Sequence, residues 1–214
     1  DGLLVSVNRE TGEKLADFQA DGSIRSTIAR DGNMLYFTTQ NGKLYAVPID
    51  EDGLLEEKGA QSVDISEHVD TSSSTPVVAG NRVYVSGGMK TAVGGELGVF
   101  EKDSLRNITT VPLRANGQSS PLAQIAEDGT VTLYVTYNGT PGGITVITDN
   151  QDGATLQYHE LYTPEPARQN YCLSSIIAAE DGTLYYKNDS CYLFAIGKQE
   201  IPTDQASLHF NVLP

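Results

Sequence analysis

A tyrosine near the end of a short apolar run recurs along the chain at an almost constant spacing. The four copies are Leu35-Tyr36-Phe37, Val83-Tyr84-Val85, Leu133-Tyr134-Val135 and Leu184-Tyr185-Tyr186, with tyrosines 48, 50 and 51 residues apart. A second apolar run follows each copy, as in Leu44-Tyr45-Ala46-Val47, and a small-residue step such as Thr75-Pro76 precedes each one. Three anchors that keep one period indicate an internal repeat, in which similar units stack on one another.

Each unit of the repeat divides into four short segments separated by turns. Asp31-Gly32 and Asn41-Gly42 are typical hairpin turns, because glycine and asparagine adopt the positive φ angles that tight hairpins require. The Leu44–Val47 segment is apolar throughout, which predicts a strand buried on both faces. Four-stranded units repeating with this period predict an all-β fold, a β-propeller of four-stranded antiparallel blades.

The order of the segments predicts how the blades divide the chain. We expect a half blade at 1–20 and blades at about 24–70, 73–116, 119–163 and 172–213, while 201–214 is either the outer strand of the last blade or the start of a following domain. About four to five blades is near or below the lower limit of closed rings, which have about 4–8 blades. The count favours an arc of a larger ring, whose apolar end faces could mediate self-association.

Several segments resemble the repeat of the pyrroloquinoline-quinone-type propellers. The similar segments are Leu4–Leu15, Asn41–Val47, Thr75–Val85 and Glu180–Tyr186, and the resemblance extends over about residues 3–197. It implies the propeller fold and, for the enzymes of that family, a quinone and a calcium or lanthanide site. The chain has no tryptophan, and Phe18 stands nearest to the family's inter-blade tryptophan. No acidic and amide cluster matches the metal site, so the chain is more similar to the family's non-catalytic members.

The charge balance limits the classes of partner. A formal net charge of −14 and a pI near 4.4 argue against nucleic acid and anionic lipid, since both are bound mainly by lysine and arginine. No run approaches the roughly 18–20 apolar residues that a membrane-spanning helix needs, and no signal peptide opens the chain. We therefore expect no membrane insertion, and we expect a secreted or cell-surface protein, bacterial in origin.

Motifs of catalysis and metal binding are not found in the sequence. His68, His159 and His209 lack the spacing of a zinc site. The acidic segment at 148–159 has the glycine of a calcium loop, but its twelfth position is His159 instead of glutamate, so a hairpin turn explains it better. A nucleophile elbow and a phosphate-binding loop are also missing. The sequence therefore predicts no catalytic, metal-binding or cofactor-binding residue and no cofactor.

Two cysteines and five loop residues are the remaining candidates. Cys172 and Cys191 could form a disulfide, and a buried free thiol is the alternative for Cys172. Propellers bind their ligands through loops, so aromatic and polar residues of the longer loops are candidates for a contact surface, with packing in the core or at the rim as the alternative. These residues are Tyr137, Tyr158, Tyr162, Arg168 and Tyr171.

The sequence favours a non-catalytic binding or scaffold module with a protein or carbohydrate ligand. The missing catalytic motifs and the acidic composition support this interpretation. Two enzyme hypotheses remain open: a fragment of a polysaccharide-acting enzyme, and a fragment of a quinone-dependent dehydrogenase.

Overall fold

The computed structural model describes residues 1–90 and 94–197 and the backbone of a short strand at 211–212. The chain begins with an antiparallel pair, β1 (Leu3–Val7) and β2 (Lys14–Gln19), which we call the half blade. Four sheets of four strands follow, each antiparallel and each formed by consecutive strands. The all-β propeller architecture predicted from the repeat is therefore confirmed.

The four complete blades are numbered in chain order. Blade one contains β3 (Ala29–Asp31), β4 (Met34–Thr38), β5 (Lys43–Pro48) and β6 (Gln61–Asp64); blade two contains β7 (Val77–Ala79), β8 (Arg82–Gly88), β9 (Gly95–Glu101) and β10 (Asn107–Leu113). Blade three contains β11 (Leu122–Ile125), β12 (Val131–Thr136), β13 (Ile144–Asp149) and β14 (Gln157–Tyr162); blade four contains β15 (Ile177–Ala178), β16 (Leu184–Lys187), β17 (Leu193–Ile196) and β18 (Asn211–Val212). A short 3₁₀ helix at Pro166–Arg168 lies between the last two blades. No helix in the described ranges is long and apolar enough to cross a membrane. The segment predicted at 201–214 lies outside the described residues except for β18.

The hydrophobic core is divided among the blade junctions. Four clusters of buried residues occur, and each one combines side chains from two consecutive sheets. Successive residues of a strand point to opposite faces, so Leu44 packs toward blade two while Tyr45 packs toward the half blade. In the first junction Phe18 packs edge-on against Phe37 and Tyr45, with ring centroids 6.5 and 6.0 Å apart. Aromatic packing thus occurs at the position nearest to the family's tryptophan.

A second set of contacts joins the inner ends of the blades. The backbone N–H at the start of one inner strand donates to the hydroxyl at the same position of the next blade: Thr27 N to Thr75 Oγ1 (3.0 Å), Thr75 N to Ser120 Oγ (2.8 Å) and Ser120 N to Ser175 Oγ (3.0 Å). The small-residue step of the sequence repeat therefore has a physical role: its hydroxyls satisfy backbone donors of the neighbouring blade.

Substituting one of these hydroxyls should weaken the fold measurably. Ser120→Ala removes the acceptor of the Thr75 N–H, and we expect the free energy of unfolding to fall by about 1 kcal/mol, the usual net value of one hydrogen bond. Urea denaturation measures the change. Ser62→Ala, at an exposed serine of an outer strand, is the control and should change little. Equal effects of the two substitutions would contradict a role for the inter-blade bond.

The two ends of the arc expose apolar side chains. On the half blade Leu4 packs against blade one, whereas its neighbours on the opposite face are exposed: Leu3, Val5 and Val7. On the last blade the exposed large hydrophobic residues include Leu173, Ile177 and Leu193. Both outer blade faces thus have the apolar composition of the faces that are buried between blades.

Candidate binding clefts at the blade junctions

One position of the repeat makes a characteristic contact in most blades. The residue just before the apolar run of the third strand contacts the segment that leads into the same blade. The contacts are Lys43 Nζ to Asp21 Oδ2 (3.2 Å), Glu96 Oε1 to His68 Nδ1 (3.1 Å), and the Tyr192 ring centroid to the Arg168 guanidinium carbon (4.4 Å). The chemistry differs each time, as an ion pair, a histidine–carboxylate contact and a cation–π contact, but the position is the same.

Blade three departs from this pattern because its residue at that position is Gly143. Its φ of +149° lies in a region that is open essentially only to glycine. A Cβ there would meet Glu160 Oε1 and the carbonyl oxygen of Tyr162, and would lie 2.9 Å from the Tyr137 hydroxyl. Glu160, which a Cβ at this position would meet, lines a cavity of about 250 Å³ between blades two and three. We call it the Gly143 cleft; it is lined by Pro112, Arg114, Thr145, Tyr158, His159 and Glu160.

Glu160 is the half-buried carboxylate of the Gly143 cleft. Its Oε1 lies 2.9 Å from the hydroxyl of Tyr137, which is also 2.9 Å from the carbonyl oxygen of Gly142. Burial raises the pKa of Glu160, although the Tyr137 hydroxyl and the charge of Arg114 act in the opposite direction. Burial also raises the pKa of Tyr137, so this phenol remains a donor at neutral pH. Tyr137 therefore fixes one oxygen of the carboxylate.

The other walls of the cleft provide a cation, a hydroxyl and an aromatic ring. Arg114 is exposed, and no ion pair within 4.0 Å joins it to any residue that the structure describes. Thr145 lies opposite Glu160 in the pairing of β13 with β14, so the two side chains share one face of the sheet. Tyr158 is two residues before Glu160 on β14 and therefore points to that same face.

An equivalent cleft opens at the preceding junction. We call it the His68 cleft; its volume is about 470 Å³, and it is lined by Asp64, Ser66, Glu67, His68, Glu96, Asn107 and Thr110. His68 lies between two carboxylates, 3.1 Å from Glu96 and 3.6 Å from Glu67. The lining is strongly acidic, in contrast to the balanced charges of the Gly143 cleft. Among residues 1–90 and 94–197, no group of three or more histidine, cysteine, aspartate and glutamate side chains could hold a metal ion.

Solved structures share this architecture. BamB from Moraxella catarrhalis matches with a TM-score of 0.59 and 18% identity over 91% of the chain. Two quinohemoprotein alcohol dehydrogenases match over the same share, from Pseudomonas putida (TM-score 0.66, 14% identity) and from Comamonas testosteroni (0.64, 12%).

The chain has a quinoprotein-type propeller fold. It spans about half or less of these proteins, namely 52%, 37% and 38% of their chains. No protein-family model and no curated protein matches the sequence. At such low identities the similarity concerns the fold alone.

The five contact residues predicted from the sequence do not form one surface of this propeller. Tyr158 lines the Gly143 cleft and is 50% exposed, and Tyr171 is 53% exposed on the last blade. Arg168 stacks on Tyr192. Tyr137 and Tyr162 are buried, as in the alternative of packing in the core: Tyr137 contacts Glu160, and Tyr162 packs against Tyr186 and Phe194.

The sequence interpretation did not select Arg114, Thr145 and Glu160. Thr145 and Glu160 lie on strands and Arg114 lies just after one, whereas the contact surface was predicted only from residues of the longer loops. The signal that could have identified them is Gly143 itself. Aligned on the apolar run of the third strand, the four blades have Lys43, Glu96, Gly143 and Tyr192 at this position. Glycine marks the blade whose third strand has no side chain for this contact, and Arg114 of the leading segment interacts with Tyr137 and Glu160 instead.

The two cysteines are free thiols in the structure. Cys172 is buried, and its thiol donates to the carbonyl oxygen of Lys187 at 3.1 Å. Burial raises the pKa of this thiol, so it is a weak nucleophile. Cys191 is exposed and lines a cavity of about 420 Å³ on the last blade, together with Lys187 and Tyr192. The disulfide between Cys172 and Cys191 stays a prediction.

Proposed function

We propose that this chain is a non-catalytic binding or scaffold module, part of the propeller of a secreted or cell-surface bacterial protein. The observation that supports the proposal is the Gly143 cleft. At this junction the repeat lacks its usual contact side chain, and polar and aromatic groups line the cavity beside it. Positions that depart from the local pattern of a fold are often functional or strained sites.

The chemistry of the cleft favours binding over catalysis. Glu160 is the one carboxylate among the residues that line it. Glycoside hydrolysis generally uses a pair of carboxylates that flank the scissile bond. The nearest hydroxyl to Glu160 is that of Tyr137, whose pKa is raised, so a deprotonated nucleophile is disfavoured there. A fixed carboxylate beside an exposed guanidinium is well suited to orient a ligand.

The exposed ends of the arc suggest a second kind of contact. Leu3, Val7 and Ile177 lie on outer blade faces and are exposed. Faces of this composition are buried elsewhere in the molecule, so we propose that further blades or a second copy cover them. This would make the chain one part of a larger assembly, consistent with its share of the matched propellers.

A quinone-dependent dehydrogenase is the competing function, because two of the similar structures are quinohemoprotein alcohol dehydrogenases. We expect that adding pyrroloquinoline quinone, calcium and a series of primary alcohols produces no reduction of an artificial electron-acceptor dye above that of a mixture without the protein. We also expect an unchanged unfolding temperature with the quinone. Quinone-dependent dye reduction that is abolished by a calcium chelator would overturn the non-catalytic proposal.

A further inference from the structure

The size of the Gly143 cleft limits its occupant to one ring-sized group. Its volume of about 250 Å³ is below the roughly 300–1,000 Å³ that is common for pockets that enclose drug-sized ligands. Its walls belong to different blades, since Arg114 follows β10 whereas Thr145 and Glu160 lie on β13 and β14. A longer ligand would therefore place one unit in the cleft and extend its other units over the outer surface of the blades.

The charges of the cleft favour a neutral occupant. Arg114 and Glu160 contribute opposite charges to one small space. Arg114 would attract an anionic ligand, but Glu160 and the net charge of −14 would repel it. Arg114 would repel a cationic ligand. A neutral hydroxyl both donates and accepts, so neighbouring hydroxyls can donate to the carboxylate and accept from the guanidinium. Hydrogen bonds with a charged partner are about twice as strong as those between neutral groups.

Thr145 provides an independent indication of a polar ligand. Its side chain lines the cleft and is only 5% exposed, and its hydroxyl has no hydrogen-bond partner within residues 1–90 and 94–197. The hydroxyl oxygen is not one of the fully buried unsatisfied atoms, so it is accessible from the cleft and can bond to water or to a ligand. A ligand hydroxyl placed between Thr145 and Glu160, which lie opposite each other on paired strands, would satisfy this group.

Tyr158 gives the cleft an apolar wall. The residue is 50% exposed on the outermost strand of its blade. A phenol ring is an apolar surface with a polar tip, and one face of a pyranose ring presents C–H groups while its edge carries hydroxyls. The combination of an aromatic ring with a carboxylate, a guanidinium and a hydroxyl matches both parts of such a sugar.

From these four observations we infer that the Gly143 cleft binds one residue of a neutral saccharide, with its ring on Tyr158 and its hydroxyls on Arg114, Thr145 and Glu160. The inference rests on the proposed binding function and names the ligand class of that site. The His68 cleft, in the equivalent place, has an acidic lining and no aromatic residue among those that line it, so it does not share this specificity.

Titration calorimetry with matched oligosaccharides tests the inference. The neutral probes are tetramers of glucose, galactose, mannose and N-acetylglucosamine; the charged probes are tetramers of galacturonate and of glucosamine. We expect at least one neutral tetramer to bind with a dissociation constant of about 1 mM or tighter, and the galacturonate and glucosamine tetramers to bind at least about tenfold more weakly than it.

Three variants place the binding in the cleft. Tyr158→Ala and Glu160→Gln should each weaken binding of the neutral tetramer by about tenfold or more, as expected for residues at the centre of a contact. Tyr171→Ala is the matched control, because Tyr171 is a tyrosine of similar exposure on another blade, and it should leave the affinity unchanged. The unfolding temperature of each variant shows that the fold is retained, and Arg114→Gln is a further cleft variant if Glu160→Gln fails to fold.

Two results would overturn the inference. If none of the neutral tetramers binds, or if the charged ones bind as tightly, the ligand class is wrong. If Tyr158→Ala and Tyr171→Ala affect binding equally, the saccharide does not occupy this cleft. Neither result would affect the non-catalytic proposal, which the quinone assay tests separately.

Discussion

Replacing Asp149 with alanine is expected to lower the free energy of unfolding by about 3–5 kcal/mol, because it leaves a buried arginine without its partner. Arg82 and Asp149 are 4% and 2% exposed, and Arg82 Nη1 donates to both carboxylate oxygens at 3.0 and 2.8 Å. The Tyr84 hydroxyl and the Gln151 N–H donate to the same carboxylate, each at 2.7 Å. One substitution therefore leaves three donors unsatisfied. Urea denaturation followed by circular dichroism measures the loss.

A surface ion pair provides the control for this prediction. Lys14 and Asp17 are separated by 2.7 Å on the half blade, and their side chains are largely solvated, so Asp17→Ala should change stability little. The double variant Arg82→Met with Asp149→Leu should recover part of the loss, since well-packed apolar residues often replace a buried pair without penalty. A loss for Asp149→Ala no larger than that for Asp17→Ala would show that the pair does not hold the junction.

The position of this pair matters for the candidate site. Arg82 belongs to β8 of blade two and Asp149 ends β13 of blade three, so the pair joins the same two blades that enclose the Gly143 cleft. Arg82 Nη2 also donates to the carbonyl oxygen of Gly153 at 2.7 Å, beyond the end of that strand. A polar bridge thus fixes the relative placement of the cleft walls, and a binding site benefits from rigid support of this kind.

The architecture could be predicted from the sequence because local patterns encode it. Hairpin turns such as Asn41-Gly42 and apolar runs such as Leu44–Val47 require only neighbouring residues to be recognised, and their fifty-residue period repeats the same information several times. The side chains on each blade face could also be predicted, because successive residues of a strand point to opposite faces.

The contacts between blades could not be predicted in this way. From the sequence, Asp149 was predicted only as part of an acidic turn. The turn is present, since the backbone N–H of Gln151 donates to the carboxylate of Asp149. Its main partner, Arg82, is 67 residues away, and no local pattern relates the two. Tyr137 shows the same limit: it follows a strand where a loop begins, but blade packing buries it beneath Glu160. Side-chain exposure at a junction depends on the neighbouring blade, which the segment itself does not specify.

Gly143→Ala is expected to destabilise the protein by about 2–4 kcal/mol, because it combines backbone strain with a steric conflict. A φ of +149° is strained for any residue with a Cβ, and the added methyl group would meet Glu160 and the backbone oxygen of Tyr162. The conflict displaces the carboxylate, so saccharide binding should fall together with stability. Thermal and urea unfolding measure the first effect, and calorimetry with the neutral tetramers measures the second.

Gly153→Ala is the matched control, since Gly153 lies at the same junction and a Cβ there would meet nothing within 4 Å. It should leave both stability and binding close to those of the unsubstituted chain. A stable Gly143→Ala protein would show that this position tolerates a side chain and that the cleft does not depend on glycine. A destabilised protein that still binds a neutral tetramer with full affinity would separate the fold requirement at Gly143 from the site. In that case Gly143 would be required only because the backbone of β14 lies so close to it. Glu160 would then bind the ligand from a different side-chain position.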